Sequence, residues 1–148
     1  MRAVLRAAFV ALLLSTPLAA ADLVNLSGKV GVSGYDPVAF FTDARPVKGN
    51  PAISATHKGA TYHFATEEHR KLFQGSPERY LPQYGGYCAY GASRGALAPV
   101  QISTWQVRNG KLYLNKDAGV RERFDADFPG NVAKADANWP SLLAEHGK

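Results

Sequence analysis

Residues 61–80 read TYHFATEEHRKLFQGSPERY, and this stretch contains the signals that decide the fold. Tyr62 and Phe64 alternate with polar neighbours, which predicts a strand with those two rings on its buried face. Thr66 then has the chemistry of a helix N-cap, and the acidic pair Glu67 and Glu68 suits the positive end of a helix dipole. The stretch therefore predicts a strand that runs directly into a capped helix.

The next residues predict which face of this helix points toward the core and where the helix ends. The spacing of His69, Leu72 and Phe73 places them on one face, which we expect to point toward the core. Gly75 is expected to end the helix, and Pro77 can begin another short turn. His69 is therefore predicted to be an inward-facing histidine.

Two hairpins are predicted, each around a pair of residues that suits a tight turn. Residues 53–64 form one around Lys58-Gly59, and residues 105–115 form another around Asn109-Gly110, a typical type I′ turn. The tail has helical patches at 120–124 and 141–143, and the prolines at 129 and 140 are expected to separate them. The predicted fold class is α+β, a small single domain with antiparallel β-hairpins packed against short helices.

The N-terminus has the pattern of a secretory signal peptide. Arg2 and Arg6 precede the apolar run 7–14, and small residues follow at 19–21. We predict a signal peptide over 1–21, cleavage after Ala21, and a periplasmic mature domain over 22–148 that carries a C-terminal helical extension. A stable membrane anchor is not expected, because a spanning helix needs about 20 apolar residues.

Charge and length limit the class of function. Removing 21 of the 148 residues leaves about 127, enough for one domain with a core of its own. Loss of Arg2 and Arg6 lowers the formal net charge from +5 to +3, and acidic and basic residues are interspersed along the rest. This distribution does not indicate a nucleic-acid partner.

Cys88 is the chain's single cysteine and lies in the segment QYGGYCAYG, residues 83–91. An unpaired cysteine in an exported protein is a buried inert thiol, half of an intermolecular disulfide, or a thiol with a function. The tyrosines of this region allow two interpretations, core packing or a tyrosine-lined pocket. They are Tyr80, Tyr84, Tyr87 and Tyr90.

An ordered set of motifs resembles the secreted bacterial YHS-domain family, which is related to the TRASH-type metal-binding modules. The set consists of Asp36-Pro37-Val38, Lys71-Leu72-Phe73 and residues 76–80, SPERY, and the match covers about half of the mature chain. Ala39 and Ala65 stand where the family often has cysteine, and His69 stands at the position of its helix cysteine. The family's metal site therefore cannot be intact in this chain.

The resemblance and the inventory of side chains together suggest a remodelled site for copper or zinc. Its ligands would be His69, Cys88 and His63, with Asp36 or a loop tyrosine as a further donor. No CxxC or HxxxH spacing supports this set. The alternatives stay open: His69 as a hydrogen-bonded core histidine, and His63 as an exposed strand residue.

Three functions follow from these observations. The first is a binding module with the remodelled metal site, and the second is a non-catalytic module for a periplasmic protein partner or a small ligand, with a buried, inert Cys88. The third is an enzyme with Cys88 as nucleophile, His63 or His69 as base, and the amides of Gly85-Gly86 as an oxyanion site. Binding is favoured over catalysis, because no motif fixes the base.

Overall fold

The computed structural model describes residues 23–147, so the predicted signal peptide and its cleavage site lie outside the described part. That part is a single α+β domain, and the predicted fold class is confirmed. Its strands are β1 (Leu26–Ser27), β2 (Val30–Gly31), β3 (Asn50–His57), β4 (Ala60–Phe64), β5 (Gln101–Arg108) and β6 (Lys111–Asn115). Its helices are α1 (Ala39–Thr42), α2 (Glu67–Gly75), α3 (Pro77–Tyr80), α4 (Ala89–Ser93), α5 (Ala118–Ala126) and α6 (Phe128–His146). Between residues 23 and 147, no helix is long and apolar enough to cross a membrane.

The larger sheet has the strand order β1-β2-β4-β3 and contains the first predicted hairpin. Lys58 and Gly59 have φ values of 49° and 81°, the left-handed backbone that a type I′ turn requires. Tyr62 and Phe64 are buried and their neighbours are partly exposed, so the predicted faces of β4 are confirmed. The parallel pairing of β4 with β2 was not predicted.

The termini of α2 follow the predicted signals. The Thr66 hydroxyl accepts a hydrogen bond from the backbone N–H of His69 at 3.1 Å, which confirms the N-cap. The helix ends at Gly75, and α3 begins at Pro77, where the missing N–H of proline costs no helical hydrogen bond.

Phe73 anchors α2 to the larger sheet. Its ring is 1% exposed and lies 5.1 Å, centroid to centroid, from the rings of both Tyr62 and Phe64. Leu72 is 40% exposed, so its predicted inward position is wrong. Successive residues of a helix point about 100° apart, so Leu72 and Phe73 point in different directions. Phe73 is the one that faces the sheet.

The second predicted hairpin, β5–β6, divides the core in two. Asn109 and Gly110 have φ values of 52° and 72°, as the type I′ prediction requires. On β6, Leu112 packs into a first core with the larger sheet, whereas Tyr113 packs into a second core beside Phe124. Because successive strand residues point to opposite faces, one strand contributes to both cores.

The C-terminal tail differs from the prediction. In place of short pieces, α6 runs for 19 residues, with Pro129 in its first turn and Pro140 inside it. The Asp127 side chain caps the start by accepting from the Gly130 N–H at 3.2 Å. The helix continues through Pro140 although proline costs about 3 kcal/mol there, because Leu142 and other apolar side chains bury against the second core.

Candidate functional site

Asp36 is the best-connected polar residue among the predicted ligands. Its side chain is 0% exposed. Oδ1 accepts from the backbone N–H groups of Val38 at 2.9 Å and Ala39 at 3.3 Å. Oδ2 accepts from the Ala65 N–H at 2.9 Å and lies 2.6 Å from His69 Nδ1. A carboxylate has about four acceptor positions, so these contacts leave none for a metal ion.

The other ring nitrogen of His69 faces the end of α1. Nε2 lies 3.2 Å from Thr42 Oγ1 and 3.7 Å from Asp43 Oδ1. The order hydroxyl, imidazole, carboxylate is that of a nucleophilic triad. Thr42 Oγ1, however, also lies 3.2 Å from the Val38 carbonyl and 2.8 Å from Asp43 Oδ1. The hydroxyl is shared among local acceptors, and the network joins α1 to α2.

Cys88 lies in a different environment. It is 1% exposed, its Sγ lies 3.5 Å from Asn115 Oδ1, and the Gly91 N–H donates to the sulfur at 3.4 Å. The interpretation of Cys88 as a buried thiol is therefore confirmed. Among the described residues, the hydrogen bonds of the Cys88 thiol are with Asn115 and Gly91 and none is with a histidine.

The structure brings two of the four predicted metal ligands together, Asp36 and His69. His63 lies on β4 opposite Ser54, and Cys88 belongs to the network around Asn115. Across residues 23–147, no three His, Cys, Asp or Glu side chains form a group that could hold a metal ion. The four residues do not fit a single coordination sphere, and the copper or zinc hypothesis stays a prediction.

A cavity of about 340 Å³ lies where the two cores meet, and we call it the seam cavity. Val32 and Tyr62 of the first core form one side, and Tyr84 of the second core forms part of the other. Leu81 and Trp139 complete the main apolar walls. The seam cavity is therefore a space between two hydrophobic clusters of one domain that pack separately.

Helix α6 supplies one wall of the seam cavity through a single face. Asp136, Trp139, Pro140 and Leu143 all line it, at the spacing i, i+3, i+4, i+7 that aligns side chains along a helix. This periodicity is present in the sequence, but the interpretation of Trp139-Pro140 as a helix break concealed it.

Tyr84 and Asp136 are a hydrogen-bonded pair that lines the seam cavity. The Tyr84 hydroxyl donates to Asp136 Oδ1 at 2.9 Å, and the Tyr84 ring stands 6.0 Å from that of Trp139 at an angle of 67°. Burial, and secondarily the bond to Asp136, raises the pKa of Tyr84, so the phenol stays neutral. Of the two interpretations of the loop tyrosines, both hold for Tyr84, which belongs to the second core and lines the cavity, and core packing holds for Tyr80.

Glu78 is another polar group that lines the seam cavity. Its Oε1 lies 2.9 Å from His57 Nε2 and 3.2 Å from Lys58 Nζ. The hydrogen bond with His57 is the main cause that lowers the pKa of Glu78, and Lys58 adds to it. His57 also stands edge-on to the Phe73 ring at 6.1 Å, which gives this hairpin residue a fixed orientation.

The first described residues close one edge of the seam cavity. Leu23 and Val24 line it, and Asn25 donates through its backbone N–H to the Gly85 carbonyl at 2.8 Å and through Nδ2 to the Gly86 carbonyl at 3.2 Å. Gly85 has φ +61°, and a Cβ there would overlap the Leu23 carbonyl oxygen. Glycine at this position therefore lets residues 23–25 pack against the loop.

Comparison with protein-family models, curated proteins and solved structures found no match to this chain. The resemblance to the YHS-domain family accordingly rests on the sequence motifs alone and stays a prediction.

Proposed function

We propose that the protein is an exported, non-catalytic binding module that holds a small organic ligand in the seam cavity. The observation that carries the proposal is the cavity itself, about 340 Å³ with aromatic and aliphatic walls and a few polar lining groups. Small-molecule sites have this composition and volumes of about 300–1,000 Å³. Export remains the inference from the signal-peptide pattern of residues 1–21.

Two groups that line the seam cavity, Tyr84 and Glu78, are poorly suited to acid–base catalysis near neutral pH. A general acid or base works best with a pKa near the operating pH. The pKa of Tyr84 is raised further from neutrality, and that of Glu78 is lowered further from it. Cys88, the nucleophile of the enzyme hypothesis, is buried and does not line the seam cavity.

A variant that fills the seam cavity tests the proposal. Leu143 lines it from the last turns of α6, whereas the next residue, Ala144, is exposed and does not line it. Leu143→Trp places an indole in the ligand's space, and Ala144→Trp adds the same group to the same helix outside it. Binding is measured by nuclear magnetic resonance with a panel of small aromatic and aliphatic compounds, following the indole signals of Trp139 and Trp105.

We expect several compounds to shift the Trp139 signal and leave that of Trp105 unchanged. Leu143→Trp should weaken their binding at least about tenfold, equivalent to about 1.4 kcal/mol, while Ala144→Trp keeps it. If no compound shifts Trp139, or if both tryptophan variants bind like the parent protein, the seam cavity is not a ligand site.

A further inference from the structure

We infer that the ligand of the seam cavity is a small organic cation, an alkylated ammonium compound, seated against the aromatic wall of Trp139 and Tyr84 and close to the Asp136 carboxylate. The inference rests on the proposed function and names the chemistry of its ligand. It follows from the aromatic walls and from the distribution of charge.

The aromatic walls are the first of these observations. Trp139 and Tyr84 pack edge to face, with ring centroids 6.0 Å apart and planes at 67°, so they form one continuous wall, and Tyr62 contributes a third ring to the same cavity. The face of an aromatic ring carries negative electrostatic potential and attracts a cation within about 6 Å, most strongly for tryptophan. Quaternary ammonium groups are recognised in this way by several rings at once.

The charges that line the seam cavity are unequally compensated. Glu78 contacts both Lys58 and His57. Asp136 is exposed and contacts the neutral Tyr84 hydroxyl, and none of the ion pairs among the described residues includes it. The attraction of this solvated carboxylate for an ammonium group is modest, but its sign favours a cation over an anion.

The test compares choline with its neutral isostere, 3,3-dimethylbutan-1-ol, in which a carbon replaces the nitrogen. The full-length chain is expressed with its natural N-terminus, the mature mass is recorded, and binding is measured by isothermal titration calorimetry. Asp136→Asn removes the charge but keeps an oxygen for the Tyr84 hydroxyl. Glu145→Gln is the matched control, because Glu145 lies on the same helix, is exposed, and does not line the cavity.

We expect choline to bind at least about tenfold more tightly than the neutral alcohol, from cation–π attraction and the carboxylate together. Asp136→Asn should weaken choline about fivefold and leave the alcohol unchanged, and Glu145→Gln should change neither. Equal binding of both compounds, with no effect of Asp136→Asn, overturns the cation inference and leaves the proposed function intact. Failure of both compounds and of the wider panel overturns both proposals.

Discussion

Asp36→Asn should lower the free energy of unfolding more than the loss of any single surface charge. The substitution keeps the shape of the side chain but turns one acceptor oxygen into an NH₂ donor. If that group replaces Oδ1, the N–H groups of Val38 and Ala39 lose their acceptor. If it replaces Oδ2, the Ala65 N–H loses its acceptor, while His69 can still accept from the amide through Nδ1.

Placing the NH₂ group at the Oδ2 position costs less free energy, so this arrangement determines the expected loss of stability. One buried N–H without a partner costs about 1–3 kcal/mol. The bonds to Val38 and Ala39 then change from charge-assisted to neutral, and each loses about 0.5–1 kcal/mol. We therefore expect the free energy of unfolding to fall by about 3 kcal/mol, a large share of the total for one domain.

Urea unfolding followed by circular dichroism measures this loss, and Asp43→Asn is its control. Asp43 lies 3.7 Å from the same histidine, but its side chain is 32% exposed, so its removal should cost no more than about 0.5 kcal/mol. The m-value should be the same for all three proteins, which shows that the change lies in stability. A loss below about 1 kcal/mol for Asp36→Asn, or equal losses for both variants, would refute the assignment of Asp36 as the acceptor that joins α1 to α2.

Two further predictions concern buried side chains. Burial raises the pKa of Tyr84 and of Tyr113, so the stability these neutral phenols contribute is fully present below their ordinary pKa of 10.0 and is lost as the pH rises through the higher folded values. Ultraviolet titration should therefore show phenols that ionise only with unfolding, and Tyr84→Phe should remove one of them; complete ionisation of the folded protein near pH 10 would contradict this. Cys88, 1% exposed, should react with a thiol reagent at least about a hundredfold more slowly in the native protein than in urea, because reaction needs local opening; rapid stoichiometric labelling would show that the thiol is accessible.

Much of the fold was predicted correctly from local signals, because a few adjacent residues are enough to determine a turn or a helix cap. Asn109-Gly110 can take left-handed angles at both turn positions, and Thr66 can cap a helix whatever lies around it. Leu72 shows the limit of this reasoning. Its helical position was predicted correctly, but which neighbouring side chain faces the core depends on how the whole helix is rotated against the sheet.

The seam cavity could not be predicted because its walls come from distant parts of the chain. Leu23, Tyr62, Tyr84 and Trp139 meet only after both cores have formed. Pro140 added a specific obstacle, since proline usually ends a helix and burial of the α6 face outweighs that tendency in this chain. The spacing from Asp136 to Leu143 becomes informative only when the helix is known to continue.

Asp36 and His69 suggested a metal site by their place in the YHS-like motifs. In the structure they instead connect elements of the fold. Asp36 and His69 join the start of α1, the strand-to-helix turn at Ala65 and the first turn of α2. Neither residue lines the seam cavity. Stability and ligand affinity should therefore respond to different substitutions, Asp36→Asn lowering the first and Asp136→Asn the second. This separation is what a binding module requires, because changes in ligand chemistry along α6 then need not weaken the network that holds α1 and α2.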